Sequence, residues 1–229
     1  MEFLIISLLS IILIFVLFAI FGVNMKKLKE MTNIKELDKI SDKYPSNIKI
    51  CKEYLKKLKN EEVKIEENEG SDATVYIAIT NKISIGNLRN SYTRIQTIAH
   101  ECLHSIQNRK ILLFNFIFSN IYLIYFFAVL IIAIFGKLPN QMACITTLAI
   151  LGIVYLIVRM YLENDAMIKA RYLAKEYMEE KEISTKEEIE KMIQQYDIVN
   201  DLGIKCVHYQ LALNVLAKIA ILSLVCFWR

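Results

Sequence analysis

The stretch AHECLHSIQNRKILLFNF, residues 99–116, decides how the chain folds. Two histidines four apart flank a glutamate, a basic pair follows, and a long apolar run begins. Residues four apart on a helix face the same way, so His100 and His104 can share one ion. Glu101 lies one residue round from His100, close enough to reach water on that ion without ligating it. Zinc lowers the pKa of such water toward about 7, and a carboxylate beside it can accept the proton and later deliver it to a leaving amine. Ile95, Ile98, Ala99, Cys102 and Ile106 supply an apolar helix face, and Asn90 or Ser91 stands where a cap belongs.

The run that starts at Ile111 is one of several. The 229 residues are 55% hydrophobic with only 6 Gly and 2 Pro, and the apolar residues are concentrated in unbroken blocks. Periodic stripes would mark a soluble domain, whereas blocks mark membrane helices. Phe3–Val23, Ile111–Phe135 and Ala143–Tyr161 match the roughly 20 apolar residues a bilayer requires. Leu211–Trp228 is a fourth block, interrupted by Asn214 and Lys218. Only Glu2 precedes the first block, and no small-residue cleavage signal follows it, so it reads as a retained anchor.

Cations flank these blocks unevenly. Lys26, Lys27 and Lys29 follow the first span, Arg109 and Lys110 precede the second, and Lys169 and Arg171 follow the third. If each span crosses once, all three clusters share a side, and the opposite turn, GKLPNQM, holds only Lys137. The positive-inside rule makes the cluster side cytoplasmic and puts the N-terminus outside. The chain then divides into an anchor (1–23), a cytosolic segment ending in the histidine helix (24–110), a transmembrane hairpin (111–161), cytosolic helices (162–210) and a last transmembrane or interfacial helix (211–229).

Within the first cytosolic piece, a Lys-rich helical pattern that includes NIKICKEYLKKLKN is broken at Pro45 and gives way to strand-like ATVYIAIT (73–80) and KISIG (82–86). In the second, Ser184-Thr185-Lys186-Glu187-Glu188 offers a capping box for a helix running to about Asn200. The net charge of +4 is mild. There is no phosphate loop, finger-type metal spacing or basic stripe with interleaved aromatics, which argues against nucleic-acid partners. The five cysteines are odd in number and not closely paired, as expected of a reducing or membrane-buried setting.

A two-histidine site needs a third ligand, and the hairpin nominates it. Its two cytoplasmic ends, Arg109-Lys110 and about Tyr161, must be neighbours, so the histidine helix enters the hairpin where YLENDAMIKARYLAKEY leaves it. On that exit helix Glu163, Ala166 and Ala170 share one side, and the alanines leave room for Glu163 to complete a His-His-Glu set. The bland alternative pairs Glu163 with Arg159, four residues earlier. Asp165 points elsewhere.

AHECLHSIQ followed by a span, then E-x-x-A-x-x-x-A after a hairpin, resembles the YugP-type neutral zinc metallopeptidases of bacterial membranes. It is more distantly similar to the membrane gluzincins that include the CAAX prenyl protease group. The resemblance covers residues from about 83 to 171. It implies His100, His104 and Glu163 as ligands of one zinc ion and Glu101 as general base, with KISIG in the preceding segment and Ser105-Ile106-Gln107 loosely matching the downstream Ala-x-Gln. Leu103 departs from the family's glycine, and Met167 departs from the small polar residue expected after Ala166.

Other residues bear weaker signals. ATVYIAIT can present a strand edge to an extended peptide. His208 and Tyr209 are candidate donors to an oxyanion, with interfacial placement as the alternative. Gln210, Asn214 and Lys218 form a polar stripe at four-residue spacing, read either as the wall of a wet cavity or as a lysine snorkelling to the interface. Lys52–Lys59 reads as a solvated face near anionic lipid.

The expectation is a mainly α membrane protein with about four transmembrane helices and a small cytosolic α+β zinc-metalloprotease domain. It would be multi-pass in the plasma membrane with its active site facing the cytoplasm, hydrolysing a peptide or membrane-protein substrate. The Lys- and Ile-rich composition hints at a bacterial source. The alternative is a catalytically inactive zinc-site membrane protein that binds peptides or regulates a partner.

Overall fold

The computed structural model describes the whole chain except Asn33, Arg89 and Asn90, with the backbone alone of Met25, Leu28 and Lys29. The helices are α1 (Glu2–Phe21), α2 (Met25–Met31), α3 (Lys35–Ser41), α4 (Asn47–Lys57), α5 (Arg94–Ile106), α6 (Arg109–Ile134), α7 (Gln141–Lys181) and α8 (Lys186–Trp228). The strands are β1 (Lys64–Glu67), β2 (Val75–Ile77) and β3 (Lys82–Ile85). α1, α6, α7 and α8 are long and apolar enough to cross a membrane.

The chain forms two compact units. One contains residues 1–23, 114–161 and 205–229. Its core gathers Tyr122, Phe126, Val129 and Ala133 of α6, Ile145 and Leu148 of α7, and Leu222 and Cys226 of α8. The rings of Tyr122 and Tyr155 stack at 5.5 Å, and Ser7 of α1 donates to the carbonyl of Ala220 at 3.1 Å. Gly22, at φ 57°, ends α1 in the left-handed region open to glycine. Gly136, at φ 65°, turns the chain out of α6, and Asn140 Oδ1 accepts from the N–H of Ala143 at 3.1 Å to start α7.

The polar stripe of α8 runs through this unit. Lys218 Nζ donates to Asn214 Oδ1 at 2.8 Å and lies 4.1 Å from the centre of the Tyr122 ring. Phe126 and Tyr155 flank it at 5.8 and 6.0 Å. Aromatic faces thus hold the ammonium.

The second unit comprises residues 24–113 and 162–204. Its sheet has the order β1-β3-β2. β2 and β3 form an antiparallel hairpin with Tyr76 opposite Ile83. β1 pairs parallel with the other side of β3, Ile65 beside Ile83. α4 packs on α5 and β1, and α5 also meets β2 and β3. Ile50, Cys51, Tyr54, Ile83, Ile95, Ile98, Ala99 and Cys102 are fully buried between these elements, together with Ala166, Ala174 and Tyr196 of the later helices. Arg94, only 6% exposed, organises the turn after α3. It donates to the Ser41, Tyr44 and Pro45 carbonyls at 2.6, 2.9 and 2.8 Å, and to the side chains of Ser41 and Asn47.

Several expectations are corrected. α8 runs from Lys186 to Trp228 rather than ending near Asn200, while α7, from Gln141, ends at Lys181 beside the expected break near Ile183. No proline interrupts either helix, and the lone Gly203 is tolerated within α8. The capping box is present at the head of α8: Thr185 N–H donates to a Glu188 carboxylate oxygen at 3.0 Å and Glu188 N–H to the Thr185 hydroxyl at 3.2 Å. Only Val75–Ile77 of ATVYIAIT is strand, because residues 78–81 turn into β3 with Asn81 at φ 47°. β1, short and charged, carries no strand signal in its sequence. α5 starts at Arg94 without a side-chain cap. Ser91 bonds instead to the Thr93 hydroxyl, and Asn90 lies outside the described residues. Ile106 is 46% exposed and does not extend the buried face of α5.

Candidate metal centre

α5 buries Ile95, Ile98, Ala99 and Cys102 against the sheet and α4, which turns its His100–His104 edge toward the helix that carries Glu163. Ala166 and Ala170, at 0% and 1% exposure, pack that helix into the shared core. His100 Nε2 and His104 Nε2 stand 3.0 Å apart. Glu163 Oε2 lies 3.6 Å from the first and 3.7 Å from the second. Ligands held about 2.0–2.1 Å from a tetrahedral zinc ion are roughly 3.3–3.4 Å from one another. The three atoms therefore describe one face of a tetrahedron of the right size, and a neutral-imidazole and carboxylate donor set suits zinc.

The outer partners hold this face in place. His104 Nδ1 is 2.8 Å from Gln107 Oε1. Gln107 Nε2 in turn donates to the Leu162 carbonyl at 2.8 Å and to Asp165 Oδ2 at 3.1 Å. Asn60 donates to the carbonyl and hydroxyl of Ser105 at 3.0 and 2.9 Å, satisfying the end of α5.

Glu101 is buried at 7% exposure. Its Oε2 accepts the backbone N–H of Tyr76 in β2 at 2.6 Å, and its Oε1 lies 3.9 Å from His100 Nε2. Burial raises the Glu101 carboxyl above its ordinary value, against the opposing pull of His100, His104 and the Tyr76 amide. For His104, burial pushes downward, but the hydrogen bond to Glu163 and the Glu101 charge prevail and the ring is shifted up.

The structure thus brings together His100, Glu101, His104 and Glu163. His208 and Tyr209 belong to the unit of apolar helices, where they meet the rings of Phe21 and Phe18 edge-on at 6.2 and 5.6 Å. Asp165 does not join the ligand set, being engaged by Gln107 and, at 2.5 Å, by Lys169. Sequence reasoning overlooked the Tyr76 amide and the depth of the Gln107 network. A backbone donor leaves no residue-type signal, whereas a glutamine three residues beyond the second histidine is one that spacing can expose.

Leu103 is 6% exposed within the core. Met167 fits against Gly203 of α8, where a side-chain carbon would approach its methyl to 2.9 Å. Lys57 of the lysine-rich helix is paired with Glu176 and Glu180 at 2.8 and 2.5 Å. Compared with family models, curated proteins and solved structures, the chain matches none.

Proposed function

We propose that the chain is a membrane-embedded zinc-dependent endopeptidase, akin to the YugP-type metallopeptidases, with His100, His104 and Glu163 holding one Zn2+. The observation that carries this reading is the convergence of two Nε2 atoms and one Oε2 within 3.0–3.7 Å, beside a buried carboxylate. When bound, zinc supplies an electrophile that polarises a peptide carbonyl and acidifies water. Glu101 accepts the proton of the attacking water and carries it to the leaving amine. Its raised affinity for protons suits that shuttle, since a carboxyl that binds a proton more readily is the better base. Tyr76 N–H fixes one carboxylate oxygen and leaves the other on the histidine side.

β2 lies at one edge of the sheet, where an extended peptide or an unfolded stretch of a membrane protein can add as a further strand. Four helices long and apolar enough to cross a membrane support a multi-pass reading, and the cation clusters support a histidine helix on the cytoplasmic side of the plasma membrane.

The test is Glu101→Gln in the reconstituted full-length protein, assayed for metal content and for cleavage of unstructured peptides. The expected result is retained zinc with turnover lowered about 10²- to 10⁴-fold. Zinc without cleavage in the wild type would instead identify a silent peptide-binding relative.

A further inference from the structure

Gln107 stands one residue past the end of α5, its backbone extended at ψ 161° and its N–H bonded back to the His104 carbonyl at 3.2 Å. Its side chain curls under the last turn and makes three contacts, to His104 Nδ1, the Leu162 carbonyl and Asp165 Oδ2. These contacts determine which end of the amide faces which partner. A carbonyl oxygen only accepts, so the amide NH2 must face Leu162. Oε1 therefore faces His104 Nδ1, and that nitrogen must carry the hydrogen. A neutral imidazole protonated at Nδ1 presents its lone pair at Nε2, the atom that faces His100 and Glu163.

The same amide acts on the other half of the site. The Leu162 carbonyl belongs to the peptide unit that continues into Glu163, so one side chain grips a ligand's ring on α5 and a ligand's backbone on α7. The two segments are 55 residues apart in sequence. Asp165 adds a second acceptor on the same helix, itself fixed by Lys169.

We propose that Gln107 is the positioning residue that joins the two halves of the ligand set, selecting the metal-binding tautomer of His104 and strapping the Glu163 segment to α5. This rests on the metal-site reading above. The removal of such an outer-shell partner typically weakens a metal about 10- to 100-fold.

The experiment compares the full-length wild type with Gln107→Leu and Gln107→Glu in detergent. It measures zinc affinity by chelator competition, the cobalt(II) absorption spectrum, and the melting temperature of the metal-free protein. Leucine removes all three contacts, and the expected result is zinc affinity lower by about 10- to 100-fold with shifted cobalt bands. Glutamate keeps an acceptor for Nδ1–H but loses both donated bonds, so its affinity falls between leucine and wild type. Affinity within about twofold of wild type in the folded variants overturns the proposal. So does equal loss in both variants that only tracks a lower metal-free melting temperature. If Gln107→Leu does not fold, Gln107→Glu decides by the same criterion. A wild type that binds no zinc would sink the metal site itself, whereas tight zinc with indifferent Gln107 variants sinks only this inference.

Discussion

The backbone N–H of Tyr76 donates to Glu101 Oε2 at 2.6 Å. A strand, rather than another side chain, thus aims the carboxylate beside the two histidines. The bond also compensates a carboxylate that is 7% exposed, where an unpaired charge would be costly. β2 consequently both borders the histidine pair and holds the Glu101 carboxylate.

Tyr76→Pro removes this donor while leaving the residue at an edge strand, where proline is tolerated. Turnover is expected to fall at least about tenfold below that of Tyr76→Phe, which keeps the N–H, because a charge-assisted bond contributes about 1.5–3 kcal/mol. Steady-state peptide cleavage at saturating zinc checks this. Equal rates in the two variants would show that the amide does not orient Glu101.

Gly86 ends β3 against backbone: a Cβ there would lie 2.6 Å from the Ala73 carbonyl oxygen and 2.8 Å from that of Ser71. Its N–H also bonds the Thr74 hydroxyl at 3.0 Å. Gly86→Ala must push the approach to β2 away, at about 1–3 kcal/mol for overpacking. The melting temperature should drop, and turnover should suffer more than zinc affinity, since β2 holds Glu101 but none of His100, His104 and Glu163.

Arg94 donates to the Ser41, Tyr44 and Pro45 carbonyls, and that of Ser41 also accepts the Tyr44 N–H at 3.0 Å. Arg94→Leu should destabilise the protein by about 2–4 kcal/mol through stranded buried acceptors. Lysine should recover little of this, because it lacks the planar fork. Denaturant titration of the metal-free protein measures both variants.

Glu101 and His104 both hold protons more tightly in the folded state than their ordinary values of 4.5 and 6.5 allow. Their stabilising contribution is complete below those values and is lost as pH rises through the raised folded values, where the native state binds more protons than the unfolded chain. The metal-free protein should therefore lose stability as pH climbs from 4.5 past 6.5. Zinc competes with the His104 proton, so the zinc-induced rise in melting temperature should grow over the same range. Melting curves with and without zinc at stepped pH check the sign.

Much of the site was legible because its signals are local. His100 and His104 sit at one helical spacing, and the short turn between α6 and α7 forced the chain back toward them. The 3-then-4 spacing of Glu163, Ala166 and Ala170 marked the inward side of the returning helix. The capping box at Thr185 and Glu188 was equally plain. What escaped depends on partners far apart in sequence. β1 is rich in charge and becomes a strand only by pairing parallel with β3, beyond β2 in sequence. Arg94 reads as a surface cation until the 41–47 turn encloses it. α7 and α8 continue past the apolar blocks because change of solvent alone does not end a helix; glycine, proline or a cap must do so.

Zinc affinity in the wild type and in Glu163→Ala decides whether His100, His104 and Glu163 share one ion. The expected result is one tightly held zinc per wild-type chain and an affinity at least about tenfold weaker once the carboxylate is gone, as when a three-residue ligand set loses a member. Undiminished zinc binding by Glu163→Ala would contradict it.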